Sequence, residues 1–199
     1  MESEKLLNDL SQQFTNIPGV GQKNALKYAY WLATHKEVAL NIKESLENII
    51  SRVRICKKCF NITTNTDEIC NICKDTERDR TTICVLESTE NLLEIETASV
   101  YNGLYFILGG LFSPIYGIET AIKRIDYLVS RVKEENIKEI ILVISSTTEG
   151  DLTAQYIKDK LKNSDVKLSR ISSGIPVGAN INYIDRKTLI EAFSKRTLL

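Results

Sequence analysis

Along the N-terminal quarter of the chain, apolar residues recur every three or four positions, the interval that gathers side chains on one face of a helix. Leu6, Leu7, Leu10 and Phe14 predict a helix over residues 4–14. Ala25, Leu26, Ala29, Leu32 and Ala33 predict a second over 22–35, and Val38, Ile42, Leu46, Ile49, Ile50 and Val53 a third over 38–54. Between the first two stands Ile17-Pro18-Gly19-Val20-Gly21, whose proline and glycines stop a helix and make a tight turn. From Thr82 the pattern changes. Short apolar runs at 83–86, 104–108 and 140–144, and an alternating segment at 166–171, read as strands between helical periods over 89–99, 119–135 and 152–161. Strands alternating with helices predict a parallel sheet covered on both faces, with the most apolar run, 140–144, in its interior. Residues 74–80 are highly charged and read as a linker. The tail holds a glycine-rich loop over 174–180, then a last helix with Leu189, Ile190 and Phe193 that Asp185 can cap.

Composition narrows the class. The 199 residues are 43% hydrophobic and 26% charged, ordinary for a globular protein long enough to bury a core. Lys plus Arg balance Asp plus Glu at 26 each, which argues against a uniformly basic nucleic-acid binder and leaves local basic patches open. No apolar run approaches bilayer-spanning length, and no stretch reads as a secretion signal; a cytoplasmic protein is expected.

Chemistry concentrates in a few places. Cys56-Lys57-Lys58-Cys59 and Cys70-Asn71-Ile72-Cys73 are two Cys-x-x-Cys knuckles ten residues apart. Four thiolates without water or carboxylate suit a closed structural zinc site; an iron–sulfur cluster is the other use of four cysteines. Gly19 and Gly21, followed by Lys23 and Lys27 one turn apart, form a helix-hairpin-helix pattern. Amide N–H groups at the start of the second helix and two ammonium groups there can flank a phosphate; a plain helical corner with solvated lysines has the same pattern. Arg52, Arg54, Lys57 and Lys58 either complement a helix C-terminus or touch phosphate. Glu87, Glu149 and Asp151 follow two predicted strand ends, where three carboxylates can converge on Mg²⁺; Asp151 serves equally as the N-cap of the following helix. Cys84 reads as a small core residue and His35 as a surface or C-capping residue. No Gly-x-x-x-x-Gly-Lys-Ser/Thr loop occurs, so a P-loop site is not supported.

In this order, the helix-hairpin-helix, the four-cysteine knot, the α/β stretch and the glycine-rich tail resemble the RecR family of bacterial recombination proteins. The resemblance runs from about Leu6 to the last helix. It is carried by residues 17–23, the four cysteines, Arg78-Asp79-Arg80 with Ile83-Cys84-Val85, Leu108-Gly109-Gly110 with Ser113-Pro114 and Gly117-Ile118, Thr148-Glu149-Gly150-Asp151, and residues 174–178. It implies a helix-hairpin-helix domain over 1–54, a zinc finger over 55–77, a Toprim domain over 78–172 and a C-terminal segment over 173–199. It further implies DNA contact at Gly19, Gly21, Lys23 and Lys27, and a partner or Mg²⁺ contact at the acidic Toprim positions Glu87, Glu149 and Asp151. Where the family carries acidic residues after Val-Gly-Gly, this chain has Ala179, Asn180, Ile181 and Asn182, so a metal or nucleotide role for that loop is not expected here.

Three functions remain in view. The resemblance implies a non-enzymatic DNA clamp and recombination mediator that acts with RecO and RecF, helps RecA displace single-strand-binding protein, and assembles as a dimer or tetramer ring. The carboxylates leave a Mg²⁺-dependent Toprim enzyme as the alternative. Charge neutrality keeps a protein-binding module that never meets nucleic acid.

Overall fold

The structure is a computed structural model that describes residues 2–112, 119–171, 175 and 178–194. It divides into two compact units, Met1–Val53 and Arg54–Leu199.

The first unit is three helices: α1 (Glu2–Thr15), α2 (Gln22–Thr34) and α3 (Lys36–Arg52). Ala25 and Ala29 are fully buried, the small side chains on α2 that let a neighbouring helix approach, and Phe14 of α1 meets Tyr28 edge to face with centroids 6.3 Å apart. The α1–α2 hairpin closes through Val20 N donating to Ile17 O at 3.0 Å. Gly19 sits at φ +81°, a left-handed conformation that disfavours any side chain. His35 alone joins α2 to α3; it is both the C-cap of the first and the N-cap of the second. The apolar face of α3 is not buried: Leu46 is 52% and Ile50 80% exposed. With Leu6, Leu10 and Phe14 of α1 and Leu32 of α2, that face lines an open apolar groove of about 570 Å³.

The second unit begins with the cysteine knot. Strands β1 (Arg54–Ile55) and β2 (Ile62–Thr63) pair antiparallel around the first knuckle, and the short helix α4 (Asn71–Lys74) carries the second. A four-stranded parallel sheet follows in the order β4-β3-β5-β6, built from β3 (Asp79–Leu86), β4 (Gly103–Ile107), β5 (Glu139–Val143) and β6 (Lys167–Arg170). Helices α5 (Thr89–Ala98), α6 (Glu119–Glu134) and α7 (Thr148–Leu161) make the crossovers. Alternation along β3 divides the core: Ile83 and Val85 pack with Ile125 and Leu128 of α6 and Ile157 of α7. Cys84 and Leu86 face the other way, with Leu92 of α5. A turn at Ile181–Tyr183 and helix α8 (Arg186–Ser194) complete the described chain. Asp185 caps α8 by accepting from Thr188 N at 2.9 Å.

The α/β class, the parallel sheet, its interior 140–144 strand and the buried Cys84 match the sequence reading. Several boundaries differ. The predicted linker over 74–80 is in part strand: β3 starts at Asp79, which pairs with Gly103 of β4 although its side chain is polar and exposed. The third helix ends at Arg52, and Arg54 enters β1. Helix α7 starts at Thr148 rather than 152, so Asp151 is not its N-cap; Thr147 Oγ1 holds that place, accepting from Gly150 N at 3.2 Å. Of the quoted sequence features, Ser113, Pro114, Gly117, Ile118, Gly174, Pro176 and Val177 lie outside the described residues.

Candidate metal centre and nucleic-acid interface

The knuckle turns bring four distant sulfurs to one point. Cys56 N donates to Asn61 O at 2.7 Å, and Phe60 N donates to Cys56 O at 2.9 Å with Phe60 at φ 62°. Lys57 N donates to Glu68 O at 2.9 Å, stitching one knuckle to the other. The ligand atoms of Cys56, Cys59, Cys70 and Cys73 all lie within 4.8 Å of one another and all four residues are buried. Cys59 and Cys70 sulfurs stand 3.5 Å apart, far beyond a disulfide bond and near the roughly 3.8 Å edge of a tetrahedron with zinc–sulfur bonds. Cys70 N donates to Cys56 Sγ at 3.3 Å, a bond that favours thiolate. Hydrogen bonds from Cys59, Cys70 and Cys73 hold the Cys56 thiol far below its ordinary range, while Cys59, the donor to Cys56, has its own thiol pushed up by that bond and by burial. The donor set fits a divalent, thiophilic ion: four sulfurs, closed to solvent, with no oxygen ligand.

The knot is bonded to the α/β core rather than hanging from it. Ile107 N, at the end of β4, donates to Cys59 O at 2.8 Å. Arg131 of α6, only 2% exposed, donates through Nη1 to Lys58 O at 2.8 Å and holds Glu135 with its remaining nitrogens. Burial opposes its charge, but Glu135 and the nearby Cys73 and Cys59 sulfurs outweigh that, so the guanidinium stays cationic beside the four sulfurs. The Phe60 ring meets Phe106 and Tyr127 edge-on, each at 5.4 Å, and Arg124 lies over it at 4.6 Å. None of Arg131, Phe60 or Arg124 stood out in the sequence. The available signal was Arg131 itself, an arginine on the inward stripe of α6 with a glutamate one turn on.

On the first unit, Gly21 is the N-cap of α2 and provides no side-chain acceptor, so the amides of the first turn stay open to an anion. Lys23 and Lys27 are exposed on that helix, which contains no acidic residue. Of the basic run, Lys57 pairs with Glu68 at 2.6 Å.

Glu87 and Asp151 meet around Ser145, but with Glu149 they do not form a three-carboxylate set for one ion. Among the described residues, the four cysteines are the only set of three or more potential ligands close enough for one ion. Glu87 accepts from Ser145 N, tying the ends of β3 and β5. Asp151 pairs with Arg170 at 2.7 Å, and Arg170 also donates to Ser145 O at 2.7 Å. Glu149 lies exposed in the first turn of α7. Gly150 belongs to this cluster for steric reasons: a Cβ there would stand 1.9 Å from Ser145 O.

Comparison with known proteins agrees with this architecture. A Toprim domain family model matches residues 81–172, and a RecR C-terminal model matches 174–197. Recombination protein RecR of Amoebophilus asiaticus is 38% identical over 197 residues, 98% of both chains. Those of Rubrobacter xylanophilus and Porphyromonas gingivalis strain W83 are each 39% identical, over 97% and 98% of this chain and 94% of theirs. With near-complete coverage at this identity, the chain belongs to the RecR family of recombination proteins.

Proposed function

We propose that the chain is a non-enzymatic DNA-binding clamp and recombination mediator in DNA repair, acting with RecO and RecF to load RecA at single-stranded gaps. The observation that carries this is the pair Lys23 and Lys27, exposed on an acid-free helix directly after the Gly19 hairpin. In a neutral chain such a patch is a local phosphate grip, and a homo-oligomer multiplies it through effective concentration. A dimer or tetramer ring is supported by the uncovered apolar groove of the first unit and by the exposed Ile181, Tyr183 and Ile190 near the C-terminus. Bound single-stranded, gapped or double-stranded DNA is the substrate of the clamp. The four cysteines hold structural Zn²⁺. The protein works in the cytoplasm, at the nucleoid when on DNA; among the described residues no helix is long and apolar enough to cross a membrane.

The Toprim match favours one rival, a Mg²⁺-dependent nuclease, primase or topoisomerase-like enzyme. The bonding of Glu87 to Ser145 N and of Asp151 to Arg170 weighs against it and suits a partner surface better. The deciding test is a salt-dependent titration with labelled single-stranded and gapped DNA, run beside a Mg²⁺-dependent cleavage and polymerisation assay. Lys23→Ala with Lys27→Ala should weaken binding and reduce the magnitude of the log–log salt slope by roughly one to two per chain. An unchanged slope removes the hairpin from the reading, and sustained turnover replaces it with the enzyme.

A further inference from the structure

We propose that α2 carries a base-stacking platform for single-stranded nucleic acid, formed by Tyr30 and Trp31 beside the two lysines; the proposal rests on the DNA-binding reading above. Lys23, Lys27, Tyr30 and Trp31 stand at i, i+4, i+7 and i+8, one continuous stripe of the helix. The buried residues of α2, Ala25 and Ala29, lie on the opposite side. Neither Tyr30 nor Trp31 lines the apolar groove, which takes Ala29, Leu32 and Ala33 from this helix. The two aromatics therefore belong to the face that carries the cations, and they are about half exposed, 51% and 47%.

Large rings left in water on a basic stripe have a specific use. A single strand offers phosphates on one side and unpaired base faces on the other. Lysines grip the first, and aromatic rings stack on the second without regard to sequence. A duplex offers only the phosphates, because its base faces are already stacked. The Trp31 ring is also pre-oriented: it stacks on His35 with centroids 4.1 Å apart and planes 14° from parallel. His35 Nδ1 lies 2.7 Å from Trp31 O, which fixes the imidazole in turn. A held ring loses less freedom on binding than a free one. The lysines thus make the helix a nucleic-acid contact, and the aromatics make it prefer a strand whose bases are exposed.

Trp31 is the chain's single tryptophan, so its emission reports this site alone. The full-length protein is titrated at low salt with an oligo(dT), with an abasic oligonucleotide of equal length and charge, and with a duplex. Anisotropy of the labelled nucleic acid is followed in parallel. Oligo(dT) should quench Trp31 and bind about tenfold tighter than the abasic strand. Tyr30→Ala and Trp31→Ala should each weaken oligo(dT) binding roughly tenfold, leaving duplex affinity and the salt slope unchanged; Trp31→Phe should retain most of the affinity. Lys23→Ala with Lys27→Ala should weaken all three ligands. Equal binding of oligo(dT) and abasic strand, with the lysine variants still defective, overturns stacking and leaves the phosphate grip standing. Loss of assembly mass in Trp31→Ala without DNA, read by light scattering, also overturns it, because the stripe would then be a contact between copies. Lysine variants with unaltered binding sink the underlying DNA reading as well.

Discussion

At the residue scale, single positions decide how firmly the second unit is held. Arg131 spends its buried guanidinium on Lys58 O and Glu135. Arg131→Met keeps the volume and drops those bonds. Loss of a buried charged hydrogen bond costs about 2 kcal/mol, so the melting temperature should fall by roughly 4–8 °C in a thermal scan. Gly150→Ala should cost a similar amount, about 1–3 kcal/mol, because the added carbon collides with the Ser145 carbonyl, a backbone atom that cannot swing aside. Glu96 sets an acid limit. The Arg78 hydrogen bond, assisted by Tyr105 and opposed by burial, holds its carboxyl below the ordinary value of 4.5. A depressed carboxyl contributes stability above its unfolded pKa and loses it as pH falls through the folded one. Glu96→Gln should therefore flatten the decline of stability below about pH 4.5, measured by urea midpoints across pH. Cys84, whose thiol burial pushes up to about 12, should resist alkylation in the folded chain.

At the scale of elements, the knuckles are tied to the α/β core. They rest on β4 through Ile107 and on α6 through Arg131. Chelation, or Cys59→Ser, should lower the melting temperature by roughly 10 °C or more and take the parallel sheet with it, seen as far-UV signal lost in the same transition. A sheet that melted at its usual temperature without metal would contradict that coupling. The sequence exposed these elements unevenly. Long helices showed their period, and the four cysteines their spacing, because both are local. The two-residue strands β1 and β2 are too short to have a period at all. The start of α7 was hidden because its first turn, Thr148 to Asp151, is polar and small. Asp151 read as a cap or ligand; the partner that claims it, Arg170, arrives from β6, and no local rule could supply it.

At the scale of the whole molecule, what is uncovered matters more than what is packed. A helix with no buried residue, α3, is unusual in a folded unit, and its apolar face opens onto a groove of about 570 Å³. Under the ring reading, Leu46→Glu should at least halve the assembly mass by light scattering and weaken DNA binding, while each chain keeps its helical content. Unchanged mass would return α3 to a lone exposed face. The family was legible from the order of parts, but this exposure was not. Periodicity reports that a helix has an apolar side and is silent on whether the same chain covers it.

The position of the knot in the chain carries a consequence for biosynthesis. Cys73 leaves the ribosome before any strand of the parallel sheet, and long before α6. A metal bound at that moment sets the Lys58 and Cys59 carbonyls in place as ready acceptors, so the later segments condense on a finished template. With zinc in the knot, the route to the native state as well as its endurance would depend on the ion. Refolding with Zn²⁺ present from the start should be faster and leave less aggregate than refolding in which it is added last.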